Sequence, residues 1–199
     1  GLAVYDGRSG AGVGVCPIDS PLISLGVPGL YKFDKRYAPE KPYVYVQLYN
    51  NQWRTNFAAW IGDGGRMTSR LRLWAFDKFA TESALYTPAM EARVPLHVGR
   101  SRSKPGPLPA SQTGIELSRK GVAVTTFGPN PDGAGTVFRV WEQGGVSGRL
   151  EVVLPAAAGF TTVIPVNLRG EAIGKIIRVL NDRFSFDLPA YAPASFILN

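Results

Sequence analysis

The segment between positions 48 and 63 carries the side chains best suited to recognising a ligand. Its candidate carbohydrate-binding residues are Asn51, Trp53, Arg54, Asn56, Trp60 and Asp63. Aromatic rings contact the C–H faces of sugars, and amide and guanidinium groups hydrogen-bond to sugar hydroxyls. The segment follows a strongly alternating apolar run, so it is expected to leave the end of a strand as a loop. This composition predicts a sugar-binding edge.

A structural interpretation of the same segment remains open. Trp53, Phe57 and Trp60 would plug the open end of a β-sandwich, while the asparagine side chains satisfy backbone groups in turns. Asp63 lies in a Gly-Asp-Gly-Gly run that is similar to part of a calcium loop, but the other acidic positions of such a loop are missing. A tight turn is therefore the simpler interpretation of Asp63.

Residues for metal or nucleophilic catalysis are scarce. Tetrahedral zinc needs three or four His, Cys or carboxylate ligands, whereas the chain has one histidine, His97, and one cysteine, Cys16. There is no Gly-x-Ser-x-Gly elbow and no phosphate-binding loop. A carboxylate pair for glycoside hydrolysis would have to come from Asp63, Asp77, Glu91, Glu116 and Glu142. We predict no catalytic residue, no metal site and no cofactor in this chain.

Composition narrows the class of protein further. Hydrophobic residues make up 45% of the chain, which is typical of a folded globular protein. The net charge of +7 comes from basic residues spread along the sequence, so we predict neither a nucleic-acid nor a membrane partner. Cys16 has no cysteine to pair with and lies in an alternating run, which predicts a small buried apolar residue. This permits a reducing compartment, and it leaves a periplasmic or extracellular location open.

Glycine and proline divide the chain into short runs with two-residue alternation, which predicts an all-β fold of antiparallel β-sandwiches. In the first half the runs are 43–49 and 69–76, where Leu71, Leu73 and Ala75 share one face, and 91–98, an edge or bulged strand because of Pro95. One helical turn fits at 81–86. In the second half, predicted strands cover 115–117, 122–127, 136–142, 149–154, 161–167, 175–180, 183–188 and 195–198.

One stretch breaks the alternation. Residues 99–112 contain three prolines and no strand pattern, so they are predicted to form a linker or loop. The chain is thereby divided into a β-sandwich over residues 1–98 and a small C-terminal β-sandwich over residues 113–199.

Several of these runs together resemble a known family. Residues 51–57 with Trp60, followed by a strand ending Leu71-Arg72-Leu73-Trp74, resemble the β-rich C-terminal region of glycoside hydrolase family 38 α-mannosidases and their bacterial relatives. Residues 19–22, 121–127, 136–142, 165–168, 184–188 and 192–198 fit the same pattern. The likeness covers nearly the whole chain, and its motifs are mostly strand patterns.

The resemblance implies a specific architecture and role. Residues 1–98 would be the end of a larger, galactose-mutarotase-like supersandwich, and residues 113–199 a small terminal sandwich. In that family a preceding α/β domain holds the zinc and the catalytic aspartates. No motif of this chain matches that chemistry, so no catalytic residue is carried over.

This chain would then be a non-catalytic C-terminal region that supports the catalytic domain and lines the glycan cleft near Trp53. The expected partner is the missing N-terminal catalytic domain of the same polypeptide, and the zinc belongs there. As a piece of something longer, the chain is expected to self-associate through uncovered apolar surface. The alternative is a stand-alone carbohydrate-binding module.

Overall fold

The structure is a computed structural model that describes residues 1–29, 35–48, 66, 68–100, 110–155 and 158–199. The regular structure consists mainly of short antiparallel strands that form several sheets, and one short helical segment accompanies them. The predicted all-β, sandwich-like fold class is confirmed. The finer assignment to a galactose-mutarotase-like supersandwich stays a prediction.

The elements follow one another in a simple order. The strands are β1 (Leu2–Tyr5), β2 (Gly12–Pro17), β3 (Ile23–Leu25), β4 (Val44–Val46), β5 (Leu71–Phe76), β6 (Glu116–Leu117), β7 (Val122–Pro129), β8 (Thr136–Glu142), β9 (Gly148–Val153), β10 (Thr162–Val166), β11 (Ile177–Arg178), β12 (Arg183–Leu188) and β13 (Pro193–Leu198). Between β5 and β6 lie a π-helical segment, Thr81–Tyr86, and the helix α1, Thr87–Arg93.

The chain forms two compact units. The first contains Gly1–Phe79 and Pro88–Pro95, and the second contains Ala80–Thr87 and Leu96–Asn199. The predicted linker at 99–112 falls within the stretch that contributes to the second unit, and residues 101–109 lie outside the described residues. The predicted domain limits therefore stay predictions.

The first unit contains a three-stranded sheet in the order β1-β2-β5, and β3 pairs with β4 in a separate ribbon. Strand register places eight apolar residues on one face of the three-stranded sheet, and we call them the aliphatic face: Leu2, Val4, Val13, Val15, Pro17, Leu71, Leu73 and Ala75. The opposite face carries the indole of Trp74 across Gly14 and the fully buried thiol of Cys16. The prediction that Cys16 is a small buried residue is confirmed.

Helix α1 lies on the Cys16 side of this sheet. The Cys16 thiol approaches the carbonyl oxygen of Ala89 at 3.7 Å, and a guanidinium N–H of Arg93 donates to the carbonyl oxygen of Pro17 at 2.7 Å. The helix therefore covers one face of the sheet.

The second unit is a two-sheet sandwich. One sheet has the order β11-β10-β13-β8-β7, the other has β12-β9-β6, and every pairing is antiparallel. Alternate residues of both sheets point into one shared core of Phe138, Val140, Leu150, Val152, Leu154, Val163, Phe184, Leu188, Phe196 and Leu198. Burial of so many large side chains is the dominant stabilising contribution to this unit.

Two well-defined turns connect strands of the sandwich. After β7, the side-chain amide of Asn130 donates to the carbonyl oxygen of Ala134, and Gly135 adopts a φ of 89°. Before β12, Asn181 and Asp182 have φ angles of 51° and 58°, the left-handed geometry of a two-residue hairpin turn. The strand predictions at 136–142 and 183–188 are confirmed to the residue.

The strand predicted at 91–98 is wrong. Glu91 lies within α1, which extends to Arg93, and residues 95–100 form no regular element. Alanine and methionine are strong helix formers, and Pro88 is tolerated because it falls in the first turn of α1. Pro95 marks the end of this helix and does not mark an edge strand.

Candidate functional site

All six predicted sugar-binding residues lie outside the described residues. Asn51, Trp53, Arg54, Asn56, Trp60 and Asp63 belong to the stretch 49–65. The carbohydrate-binding prediction for this loop therefore stays a prediction. The structure does show the strand that leads toward it, β4, which pairs with β3 through Val46 opposite Ile23.

Next to β4 lies a broad cleft rich in tyrosine, which we call the tyrosine cleft. It has a volume of about 760 Å³, and its side chains include Arg36, Tyr37, Glu40, Lys41, Tyr43 and Tyr45. The rings of Tyr43 and Tyr45 meet edge to face at 6.4 Å, and the ammonium of Lys41 lies 5.7 Å from the Tyr43 ring centre. Aromatic faces beside charged and hydroxyl groups suit recognition of a polar ligand with apolar C–H surfaces.

Two features hold the tyrosine cleft in shape. The hydroxyl of Tyr37 donates a 2.7 Å hydrogen bond to the carbonyl oxygen of Leu25 at the end of β3. Gly26 follows with a φ of 75°, and a side chain there would collide with Tyr37 and Pro39. Sequence analysis did not single out these tyrosines, although the alternation of 43–49 places Tyr43 and Tyr45 on one side of a strand.

A well-formed ion pair joins Asp19 to Arg70 near the end of β2. The Arg70 guanidinium donates two hydrogen bonds to the carboxylate, at 2.8 and 2.9 Å, and the Arg70 backbone N–H adds a third at 2.7 Å. The Arg70 side-chain hydrogen bonds, and next its backbone N–H, lower the pKa of Asp19 to about 2. The carboxylate is therefore a structural acceptor that stays ionised at neutral pH.

Glu142 is the one fully buried carboxylate among the described residues of the core. Its oxygens accept hydrogen bonds from the backbone N–H groups of Gly144, Gly145 and Tyr191 at 2.8–3.0 Å, and from the Arg119 guanidinium at 3.2 Å. Glu142 thus joins the loop after β8 to the loop before β13. This geometry is that of a structural anchor.

The protonation of Glu142 follows from the same contacts. Burial raises the pKa of the carboxyl, but the N–H donors of Tyr191, Val146, Gly145 and Gly144 together outweigh it and leave the pKa below its ordinary value. Burial, and next the negative charge of Glu142, raise the pKa of the nearby Tyr86 phenol. A carboxyl held ionised in this way is poorly suited to act as a general acid at neutral pH.

The described residues contain no group of three or more His, Cys, Asp or Glu side chains that would hold a metal ion. Among the helices that the structure describes, none has the length and apolar character needed to cross a bilayer.

The aliphatic face is the most unusual surface of the first unit. Val13, Leu71 and Leu73 are 45%, 44% and 60% exposed, and no charged or polar side chain interrupts the eight positions. A sheet face that is apolar across three strands normally packs against a second layer. The sequence predicted that Leu71, Leu73 and Ala75 share a face, but strand pairing was needed to show that β1 and β2 continue it.

Comparison with known proteins gives no identification. No protein family matches the chain, no curated protein matches it, and no solved structure matches it.

Proposed function

We propose that this chain is a non-catalytic β region of a carbohydrate-processing enzyme of the family 38 α-mannosidase type. It supports the catalytic domain of the same polypeptide and contributes to the edge of the glycan cleft. The sequence resemblance supports the enzyme class. The aliphatic face is the single structural observation that carries the supporting role, because another domain could pack its own apolar residues against this exposed sheet face.

The state of the carboxylates supports the same proposal. The Asp19 carboxylate is ion-paired with Arg70, and the Glu142 carboxylate accepts hydrogen bonds from backbone N–H groups and from Arg119. Both have lowered pKa values and anchor loops. The zinc and the catalytic aspartates of such an enzyme are expected in the partner domain, and the described residues of this chain form no cluster that fits the metal.

The aliphatic face can be tested by replacing Leu73 with lysine. The parent chain in isolation should self-associate in light scattering, because Val13, Leu71 and Leu73 of this face are 44–60% exposed, and Leu73→Lys should make it monomeric. Leu180→Lys is the matched control, since Leu180 is 70% exposed but belongs to the second unit. A parent chain that is monomeric at every concentration would contradict an interface role.

The enzyme class is tested on the full-length polypeptide. With zinc added, it should hydrolyse an aryl α-mannoside, whereas this chain alone should not. Turnover by this chain alone that disappears in Glu142→Gln would overturn the proposal, because catalysis would then reside in the β region.

A second function, a stand-alone carbohydrate-binding module, is favoured by the tyrosine cleft. It predicts saturable binding of oligosaccharide by the isolated chain. Each exposed aromatic would contribute about 1 kcal/mol beyond area burial, so Tyr43→Ala should weaken binding by about fivefold or more. Trp53→Ala and Trp60→Ala test the predicted loop in the same calorimetric titration. Absence of binding at millimolar sugar would eliminate the module.

A further inference from the structure

A second cleft lies on the outer face of the five-stranded sheet, within the second unit. In β8, Phe138 and Val140 point into the sandwich core, so Arg139 and Trp141 point away from it. The cleft has a volume of about 440 Å³, and its polar and aromatic side chains are Thr125, Thr126, Arg139, Trp141 and Ser195. We call it the Trp141 cleft. Its size falls within the range of small-ligand sites.

The indole of Trp141 is both exposed and fixed. It is 48% exposed, and its Nε1–H donates to the carbonyl oxygen of Tyr191 at 3.1 Å. Its neighbours in register on β7 and β13 are Ala123 and Pro193, which are too small to cover the ring. A ring held by its own hydrogen bond loses little freedom when a ligand stacks on it.

Arg139 supplies a directed hydrogen-bond donor beside this ring. One terminal N–H of its guanidinium donates to the carbonyl oxygen of Leu168 at 3.2 Å, which fixes the side chain across the sheet. Its Nε–H is buried and has no hydrogen-bond partner within the described part of the chain. The terminal N–H groups of this part-exposed guanidinium are therefore the donors that a ligand oxygen can reach.

The strand next to Arg139 is irregular at this point. A bulge between Val124 and Thr126 interrupts the β7–β8 register. The extra residue, Thr125, donates its hydroxyl to the carbonyl oxygen of Arg139 at 3.3 Å. Bulges often re-aim side chains at binding sites, and this one brings two adjacent threonines to the cleft.

We propose that the Trp141 cleft binds a pyranose unit of a glycan. The C–H face of the sugar stacks on the Trp141 indole, and a sugar oxygen accepts a hydrogen bond from a terminal N–H of the Arg139 guanidinium. An aromatic platform beside fixed donors is the arrangement that suits a ring with one apolar face and a polar rim. The inference rests on the geometry of the second unit alone, and it holds whether or not the chain belongs to a glycosidase.

The experiment is a sugar titration of the ¹⁵N-labelled chain followed by NMR. The four tryptophans give four indole N–H signals, and the signal absent from Trp141→Phe identifies Trp141. Methyl α-D-mannopyranoside and methyl β-D-glucopyranosiduronic acid are the probes, because they distinguish a hydroxyl from a carboxylate acceptor. The Trp141 signal should shift saturably, and Arg139→Gln should weaken binding fivefold or more while the other indole signals keep their positions.

Tyr43→Ala is the matched control, because it removes an aromatic ring of the tyrosine cleft in the other unit. It should leave the Trp141 titration unchanged. A saturable shift of a different indole, with Trp141 unmoved, would overturn the inference and assign the sugar to another surface. No shift of any indole at millimolar probe would overturn it as well, without bearing on the aryl-mannosidase assay of the full-length polypeptide.

Discussion

The indole of Trp74 lies across Gly14 of the adjacent strand, its direct partner in the β2–β5 register. A Cβ atom at Gly14 would overlap the ring carbons and Nε1 of Trp74. The large ring therefore lies flat against the backbone of β2, on the face that also buries Cys16. Trp74 and α1 thus cover this face, whereas Val13, Leu71 and Leu73 of the aliphatic face are 44–60% exposed.

Replacing Gly14 with alanine should destabilise the first unit by about 2 kcal/mol, because the added methyl group forces the Trp74 ring off the sheet. The measurement is urea unfolding. Gly128→Ala is the control, since Gly128 also lies in a strand but has no atom within 4 Å of an added Cβ. Equal stability of the two variants would show that Trp74 can move aside without cost.

Alternation along the chain predicted most strands because both sheets of the second unit bury every other residue. Phe184, Phe186 and Leu188 show the pattern well enough to give the limits of β12. Helix α1 was missed because a helix of seven residues leaves too few turns to show a period. Pro95 was therefore interpreted as part of an edge or bulged strand at 91–98, although it follows the end of the helix.

The candidate sites were harder to predict, for a different physical reason. Glu142 looks like an ordinary strand carboxylate in sequence, and only tertiary structure brings it to the N–H of Tyr191, 49 positions away. The Trp141 cleft likewise depends on which strands flank β8. The predicted loop at 49–65 lies outside the described residues and remains to be tested by substitution.

Glu142→Gln should lower the free energy of unfolding by about 2 kcal/mol, because an amide nitrogen cannot accept the hydrogen bonds now made to one carboxylate oxygen. Glu151→Gln is the matched control. Glu151 also lies in a strand and pairs with an arginine, Arg183, but both side chains are about half exposed. Such a pair contributes about 0.5 kcal/mol or less. Comparable losses in urea unfolding would show that Glu142 is not an anchor.

The Asp19–Arg70 pair makes stability depend on pH in the acid range. The folded pKa of Asp19 is about 2, below its ordinary value of 3.8, so the stabilisation is complete above about pH 4 and disappears as the pH falls toward 2. The urea midpoint of the parent should fall across this window more steeply than that of Asp19→Asn. Arg70→Gln should likewise make the urea midpoint depend less on pH. If both variants lost stability with falling pH as steeply as the parent, the Asp19–Arg70 pair would not cause the acid dependence.

The hairpin turn before β12 gives a prediction about backbone strain. Asp182 has a φ of 58°, a conformation that glycine adopts freely and β-branched residues resist. Its hydrogen bond to the rest of the sandwich comes from its backbone carbonyl oxygen, which accepts the N–H of Leu154 at 2.8 Å. Substitution therefore changes the conformational preference of the turn and keeps this contact.

Asp182→Gly should leave the free energy of unfolding unchanged or raise it slightly, whereas Asp182→Val should lower it by about 1–2 kcal/mol. Both variants remove the same carboxylate, so a change in stability that they share is due to the loss of that carboxylate. A difference between them is due to the backbone preference of the new residue. A valine variant as stable as the glycine variant in thermal unfolding would mean that the turn relaxes without strain. The link between Leu180 and Arg183, which closes the turn through two backbone hydrogen bonds, would then have to tolerate a different loop geometry.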